Sequence, residues 1–184
     1  MEVVDRARRI ILAPGKEWHA IDREPSNASF LLTHYVAILA AIPAVCGFIG
    51  WILIGLPIVT ALVISAARYL MTFVMVYVLA FIVDGLAQTF GGRRDFDSAF
   101  KLVVYAATPV WLAGVFLLIP RLDFLQTVLG LYAIYLLWTG IPPLMRSPDD
   151  RALIYTVVVI LCLLVVTIVV GVLLSLVIGF RAFM

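Results

Sequence analysis

The sequence predicts an all-α polytopic integral membrane protein, a five-helix transmembrane bundle with an N-terminal amphipathic interfacial helix. Of its 184 residues, 65% are hydrophobic and 13% are charged, and the mean hydropathy is +1.16. A soluble domain of this length needs more polar surface. The apolar runs reach the ~20 residues that cross a ~30 Å hydrocarbon core. They lack the period-two alternation of barrel strands, so the spans are predicted to be helices.

The N-terminal segment, residues 1–28, has the pattern of an amphipathic helix. Val3, Ala7, Ile10 and Ile11 share one face, and charged residues occupy the remainder. This pattern is typical of a helix that lies in the headgroup layer, held by its apolar face and by arginine contacts with anionic lipid. A docking site for a soluble partner is the alternative interpretation.

Residues 29–184 are predicted to form a single transmembrane domain. Short polar or Gly/Pro-containing turns divide its apolar sequence into five stretches. The predicted spans lie at about 30–54, 58–83, 99–119, 124–145 and 152–178. Lys and Arg are concentrated on the side that holds the N-terminus, which predicts a cytoplasmic N-terminus and an external C-terminus.

Ionisable residues within or beside the spans are the first candidates for function. Arg68 lies in the second span, about 24 Å along the helix from Asp84 at 1.5 Å per residue. It either snorkels to the far interface or faces a cavity or an acidic partner. Asp84 ends the second span, and Lys101 lies one turn into the third. Because their depths are similar, the sequence predicts a cross-helix ion pair between them.

The loop between the second and third spans contains Gly91, Gly92, Arg93 and Arg94. The two glycines permit a tight turn. The combination resembles an anion site only loosely, because it lacks the full phosphate-cradling pattern. An acidic or hydroxyl residue after the loop, such as Asp95, is expected to cap the third span.

The third span carries Tyr105, Thr108 and Pro109. Pro109 is expected to kink the helix at mid-span, and Thr108 to help satisfy the backbone group that the proline frees. Asp149 lies in the loop before the fifth span, where it or Ser147 is expected to start the last helix.

The fifth span carries a stripe of small residues at intervals of four: Thr167, Gly171, Ser175 and Gly179. Small residues let helix backbones approach closely in a membrane. The stripe therefore predicts tight helix packing, either within the bundle or against a second copy of the protein.

Nothing in the sequence predicts an enzyme. The zinc-peptidase and nucleophile-elbow motifs are absent, and the spans contain no paired carboxylates. Cys46 and Cys162 lie in separate apolar runs as small fillers. Asp149 and Asp150 supply too few oxygens for a calcium site. We therefore expect no cofactor, no metal and no nucleic-acid partner, and the lipid bilayer as the immediate surroundings.

Several short motifs in a fixed order carry a family resemblance. They are Ile11-Leu12-Ala13-Pro14 with Glu17-Trp18 and Glu24-Pro25, Asp84 with Thr89-Phe90-Gly91-Gly92, Ala99-Phe100-Lys101 with Tyr105 and Thr108-Pro109-Val110-Trp111, Tyr132-Ala133-Ile134-Tyr135-Leu136 with Gly140-Ile141-Pro142, and Pro148-Asp149. Together they resemble a bacterial branch of the Yip-one domain family, five-span proteins related to eukaryotic Ypt/Rab-interacting membrane proteins. The resemblance implies a bacterial inner-membrane protein. The vesicle-trafficking role of the eukaryotic relatives is not expected here, because fewer than 30 residues precede the first span.

Two hypotheses for function follow. The first is a non-enzymatic adaptor or scaffold that associates laterally with itself or with other membrane proteins. The small-residue stripe and the short loops favour it. The alternative is a small oligomeric transporter or channel with a polar path near Arg68, Asp84, Lys101 and Pro109, since ionisable groups within spans often mark transport routes.

Overall fold

A computed structural model describes residues 3–25, 27–119, 122 and 124–182, and their side chains except at 127 and 173–182. The described chain consists of helices joined by short turns and contains no strand, which confirms the predicted all-α class. The helices are α1 (Val3–Leu12), α2 (Pro14–Arg23), α3 (Ala28–Leu31), α4 (Ala37–Leu53), α5 (Ile58–Leu86), α6 (Phe96–Ala106), α7 (Thr108–Ala113), α8 (Phe124–Met145) and α9 (Asp149–Ala182). A π-helical turn joins α3 to α4, and a 3₁₀ turn follows α5.

Five helical stretches of the described chain are long and apolar enough to cross a membrane. They are Ala28–Leu53, Ile58–Phe90, Phe96–Leu118, Phe124–Met145 and Asp149–Val172. Their number confirms the five predicted spans, and their described bounds lie close to the predicted ranges. The main difference is at the end of the second span, which was expected at 83 but continues to Phe90 because the 3₁₀ turn extends the helix.

The third span is the centre of the bundle. In its apolar window 61% of the residues are buried, against 17–33% in the other four spans. It is broken between α6 and α7, where Pro109 stands in the first turn of the new helix, so the predicted kink is a complete break. Gly114 then lies against Pro43 of the first span. A Cβ at Gly114 would stand 2.5 Å from the Cβ of Pro43, so only glycine permits this approach.

The helices α1 and α2 form a hairpin, hereafter the N-terminal hairpin, that folds back onto one end of the bundle. Ile10, Trp18 and Ile21 of this hairpin are buried against the spans. This apolar face packs against the protein's own helices, and the predicted position of the helix at the headgroup layer stays a prediction. The end of the bundle that carries the hairpin is called the hairpin end below.

The fifth span is the least enclosed. Within the described chain α9 packs on α8, on α5 and on the 3₁₀ turn after α5. Thr167 and Gly171 are both exposed, and nothing lies within 4 Å of a Cβ built on Gly171. Gly171 does not pack within the bundle, whereas Thr167 lines a groove that α5 and the third span also line. The other two members of the predicted stripe, Ser175 and Gly179, have side chains outside the described residues.

Candidate functional site

A cluster of charged side chains is buried between the N-terminal hairpin and the third span. Arg6 of α1 is 1% exposed and forms ion pairs with Glu17 and Glu24. Arg9 Nε donates to Glu17 Oε1 at 3.1 Å. The guanidinium of Arg6 also lies 5.7 Å from the ring centroid of Tyr105, within cation–π range. The hairpin is therefore held by charge as well as by apolar packing.

The arginine at the centre of this cluster is stable there because it is paired. Burial by itself lowers the pKa of Arg6, but the hydrogen bond and charge of Glu24, with the charge of Glu17, outweigh burial and raise it. Removing water from a charge costs several kcal/mol unless a partner of opposite sign is present. The two carboxylates supply that partner and keep the guanidinium charged.

Lys101 joins the same cluster from α6. Its Nζ donates to the backbone oxygens of Glu24 at 2.6 Å and Ile21 at 3.4 Å. These carbonyls stand at the C-terminal end of α2, where a helix carries partial negative charge and attracts cations. The predicted ion pair between Lys101 and Asp84 is wrong, because Lys101 is turned towards the hairpin and caps α2 instead.

Asp84 takes a different partner. Its Oδ2 accepts hydrogen bonds from Arg94 Nε at 3.2 Å and Arg94 Nη2 at 3.0 Å, while its Oδ1 is buried without a partner among the described residues. Arg93 pairs with Asp95 at 2.9 Å. Asp95 caps α6, as predicted, through its bond from the Ser98 amide at 3.2 Å. Both loop arginines are thus neutralised by nearby carboxylates.

The glycine loop fastens the second span to the loop between the fourth and fifth spans. Gly91 has a φ of 77°, which glycine adopts without strain. The Gly92 amide donates to Ala87 O at 2.8 Å, and the Arg93 amide donates to Met145 O at 2.8 Å. These amides are occupied within the protein. The loose resemblance of this loop to an anion site is therefore not supported by its geometry.

Further bonds connect the hairpin to the fourth span. Trp18 Nε1 donates to Thr139 Oγ1 at 3.2 Å, and Tyr132 OH donates to Ile11 O at 2.6 Å. Trp18 is fully buried against Gly140, where a Cβ would stand 2.8 Å from the indole. Because Gly140 has no side chain, there is room for the indole at this point.

Two other predicted residues lie deeper in the third span. Thr108 Oγ1 shares a hydrogen bond of 2.9 Å with Tyr35 OH of the first span. Thr108 was expected to satisfy a backbone group near Pro109. Its hydroxyl instead links the third span to the first. Tyr105 packs edge-on against Tyr35, with ring centroids 4.9 Å apart. This pair continues the cluster from Arg6 into the bundle.

Arg68 lies apart from all of these residues. It is exposed on α5 and forms no ion pair with any described residue. It lines a cavity of about 190 Å³ between the first four spans, near Pro43 and Trp111. Ser65 also lines this cavity, and its Oγ is buried with no partner among the described residues.

Asp149 is the first residue of α9, as predicted. It lines an open groove with His19, Trp138 and Thr139 at the hairpin end. The described residues contain no group of three or more His, Cys, Asp or Glu side chains that could hold a metal ion.

The family model for the Yip1 domain matches residues 8–178, nearly the whole chain. The chain belongs to the Yip1 domain family. Two curated relatives of this Yip1 domain protein carry the name inner membrane protein YohC, from Escherichia coli strains K12 and CFT073. Each is 29% identical over 156 residues, which cover 78% of this chain and 80% of the relative. No solved structure matches the chain. With the five apolar helices, these findings identify a bacterial inner-membrane protein.

The partners of the buried polar residues could not be predicted from the sequence, because they are far apart along the chain. Arg6 was assigned to a polar surface, and its two carboxylate partners lie 11 and 18 positions away. The separations at Tyr35 and Trp18 are larger, with partners 73 and 121 positions away. One usable signal was Trp18 itself, because a large aromatic residue in a short charged helix requires a protein surface or a membrane to cover it.

Proposed function

We propose that this Yip1 domain protein is a non-enzymatic scaffold in the inner membrane that associates laterally with a second copy of itself or another membrane protein through the fifth span. One observation carries the proposal: Gly171 is exposed with open space at its Cβ position, and Thr167, one turn before it, is also exposed. Lipid is as apolar as the helix, so association between spans depends on close packing and interhelical hydrogen bonds. A face with glycine and threonine one turn apart suits both.

The remainder of the bundle supports a scaffold role. The N-terminal hairpin is held in place by the Arg6 cluster. Two further contacts join it to the fourth span and the loop that follows: the hydrogen bond from Trp18 to Thr139 and the ion pair between Asp22 and Arg146. Bonds of this kind hold α1 and α2 in one position relative to the spans. A lateral contact through α9 would then present the hairpins of neighbouring copies in a defined arrangement.

The alternative of a transporter or channel has less support. Asp84 and Lys101 are both occupied by partners at the hairpin end. Arg68 lines a separate cavity on the same helix as Asp84, about 24 Å along the helix axis from it. A continuous polar path through these three residues is not evident in the arrangement of the described chain.

The test is the native mass of the protein in lipid nanodiscs. We expect a defined oligomer for the unaltered protein and loss of that oligomer in Gly171→Leu, because leucine fills the surface that a partner helix would meet. Gly130→Leu is the matched control: Gly130 is also a helical glycine with nothing within 4 Å of its Cβ position, but it lies on α8. A monomeric unaltered protein, or an oligomer that persists in Gly171→Leu, would contradict self-association through the fifth span.

A further inference from the structure

The cavity at Arg68 contains hydrogen-bond donors and no carboxylate among its described lining residues. It is lined by α4, α5, α7 and α8, and its polar lining residues include Ser65, Arg68, Thr72, Trp51, Trp111 and Gln126. Two hydroxyls there already have partners, since Thr72 Oγ1 donates to Arg68 O at 3.0 Å and Tyr69 OH donates to Ala37 O at 3.1 Å. The Arg68 guanidinium and the Ser65 hydroxyl remain available.

These two groups are costly to leave without partners. A charged side chain within a span is unfavourable unless it reaches water, headgroups or a partner. A buried hydroxyl without a hydrogen bond is also unfavourable. Ser65 lies one helical turn before Arg68, so both side chains line the same side of α5. A guanidinium next to a hydroxyl is a suitable pair of donors for a phosphate or carboxylate.

An apolar groove begins at the same arginine. Arg68, Thr72 and Trp111 also line an open groove of about 430 Å³ that runs along α5 past Met75 to Leu79, and residues of the third and fifth spans line its other sides. From Arg68 to Leu79 the helix rises roughly 16 Å. Apart from Arg68 and two threonines, its described lining is apolar. The groove therefore has the length and the chemistry to hold part of an acyl chain.

We propose that Arg68 and Ser65 bind the anionic headgroup of a membrane lipid whose acyl chain lies in the groove along α5. Arg68 is nearer to the end of α5 that faces away from the hairpin: it lies about 15 Å along the helix from Ile58, where α5 begins, and about 24 Å from Asp84. A long arginine side chain extends towards the nearer interface. A headgroup that enters from that side meets the guanidinium, and its chain then runs along the direction from Arg68 to Leu79.

The experiment measures lipids retained by the protein in native mass spectrometry after exchange into mixed nanodiscs. We expect phosphatidylglycerol to be retained at least about tenfold better than phosphatidylcholine, because the phosphate of phosphatidylcholine is already offset by its own choline cation, and we expect Arg68→Gln to remove that preference. Ser65→Ala keeps the charge and is expected to weaken retention by about fivefold. Arg8→Gln is the control, because Arg8 is an exposed arginine on α1.

Two results would overturn the proposal. One is equal phosphatidylglycerol retention in the unaltered protein and in Arg68→Gln. The other is displacement of phosphatidylglycerol by inorganic phosphate at equal concentration, which would show an anion site that does not use the groove. If Arg68→Gln fails to fold, which circular dichroism would reveal, Ser65→Ala decides the matter by the same measurement. The oligomeric state is not used in any arm, so the result is independent of the scaffold proposal.

Discussion

The indole of Trp18 donates its hydrogen bond to Thr139 across 121 positions of the sequence, at 3.2 Å. It does so from a fully buried position against Gly140. This one contact fixes the N-terminal hairpin to the fourth span by an apolar ring and a polar bond together.

Trp18→Ala is expected to destabilise the folded protein by about 3–5 kcal/mol, because it removes a large buried ring and leaves a cavity. Unfolding in detergent, followed by circular dichroism, measures the change. Trp138→Ala is the control, since Trp138 is 41% exposed on the same fourth span. Similar losses in the two variants would mean that the hairpin contact is not important for stability.

Arg6→Met is expected to destabilise the protein by about 3–5 kcal/mol, because Glu17 then stays buried without its main partner. The exposed Arg8 provides the comparison, and Arg8→Met should change the free energy of unfolding by less than about 0.5 kcal/mol. Restoration of stability in a double variant, Arg6→Met with Glu17→Gln, would confirm that the unpaired carboxylate causes the loss. No recovery there would argue against an ion pair as the origin.

The free energy of unfolding is expected to depend on pH through Asp95. Burial raises its pKa, but the hydrogen bonds from Ser98 and the charge of Arg93 outweigh burial and hold the pKa below its ordinary value. A lowered carboxyl pKa contributes stability above the unfolded pKa of about 3.9, and this contribution is lost as the pH falls through the folded value. Asp95→Asn retains a capping oxygen without the charge. The difference in unfolding free energy between the two proteins should therefore be largest near pH 7 and shrink below about pH 4; a constant difference would contradict this.

Gly92→Ala and Gly130→Ala should change stability in opposite directions. A Cβ at Gly92 would stand 2.7 Å from Met145 O, so alanine forces the loop away and costs about 1–3 kcal/mol. Gly130 has open space within α8, where alanine is favoured over glycine by about 0.5–1 kcal/mol. Thermal unfolding of both variants in one detergent tests this, and a neutral Gly92→Ala would mean that the loop does not need to approach the fourth span so closely.

Hydropathy predicted the spans well because the length of an apolar run is a local property, and a bilayer imposes nearly the same length on each. The break at Pro109 was equally local, since proline lacks the N–H that continues a helix. The partners of charged residues were not local. Asp84 and Lys101 were correctly placed near one end of their helices, but the rotation of each helix about its axis directs Asp84 to Arg94 and Lys101 to the end of α2.

The residues that line the Arg68 cavity also could not be predicted from local sequence. Sequence placed Arg68 in the second span and left its surroundings open. Ser65 was not considered, because a serine in a span gives no sign of whether its hydroxyl has a partner. Only the packing of four spans around that point shows the hydroxyl and the guanidinium lining one space.

The separation in sequence between the hairpin and its binding surface has a consequence for synthesis. The chain emerges from the ribosome N-terminus first, so α1 and α2 are made before Lys101, Thr139 and Arg146 exist. Until the fourth span is inserted, Arg6 and Trp18 have no completed pocket and must wait in water or at the membrane surface. The hairpin can therefore dock fully only after the fourth span has been inserted. In a chain halted earlier, these two helices would be exposed to proteases and chaperones.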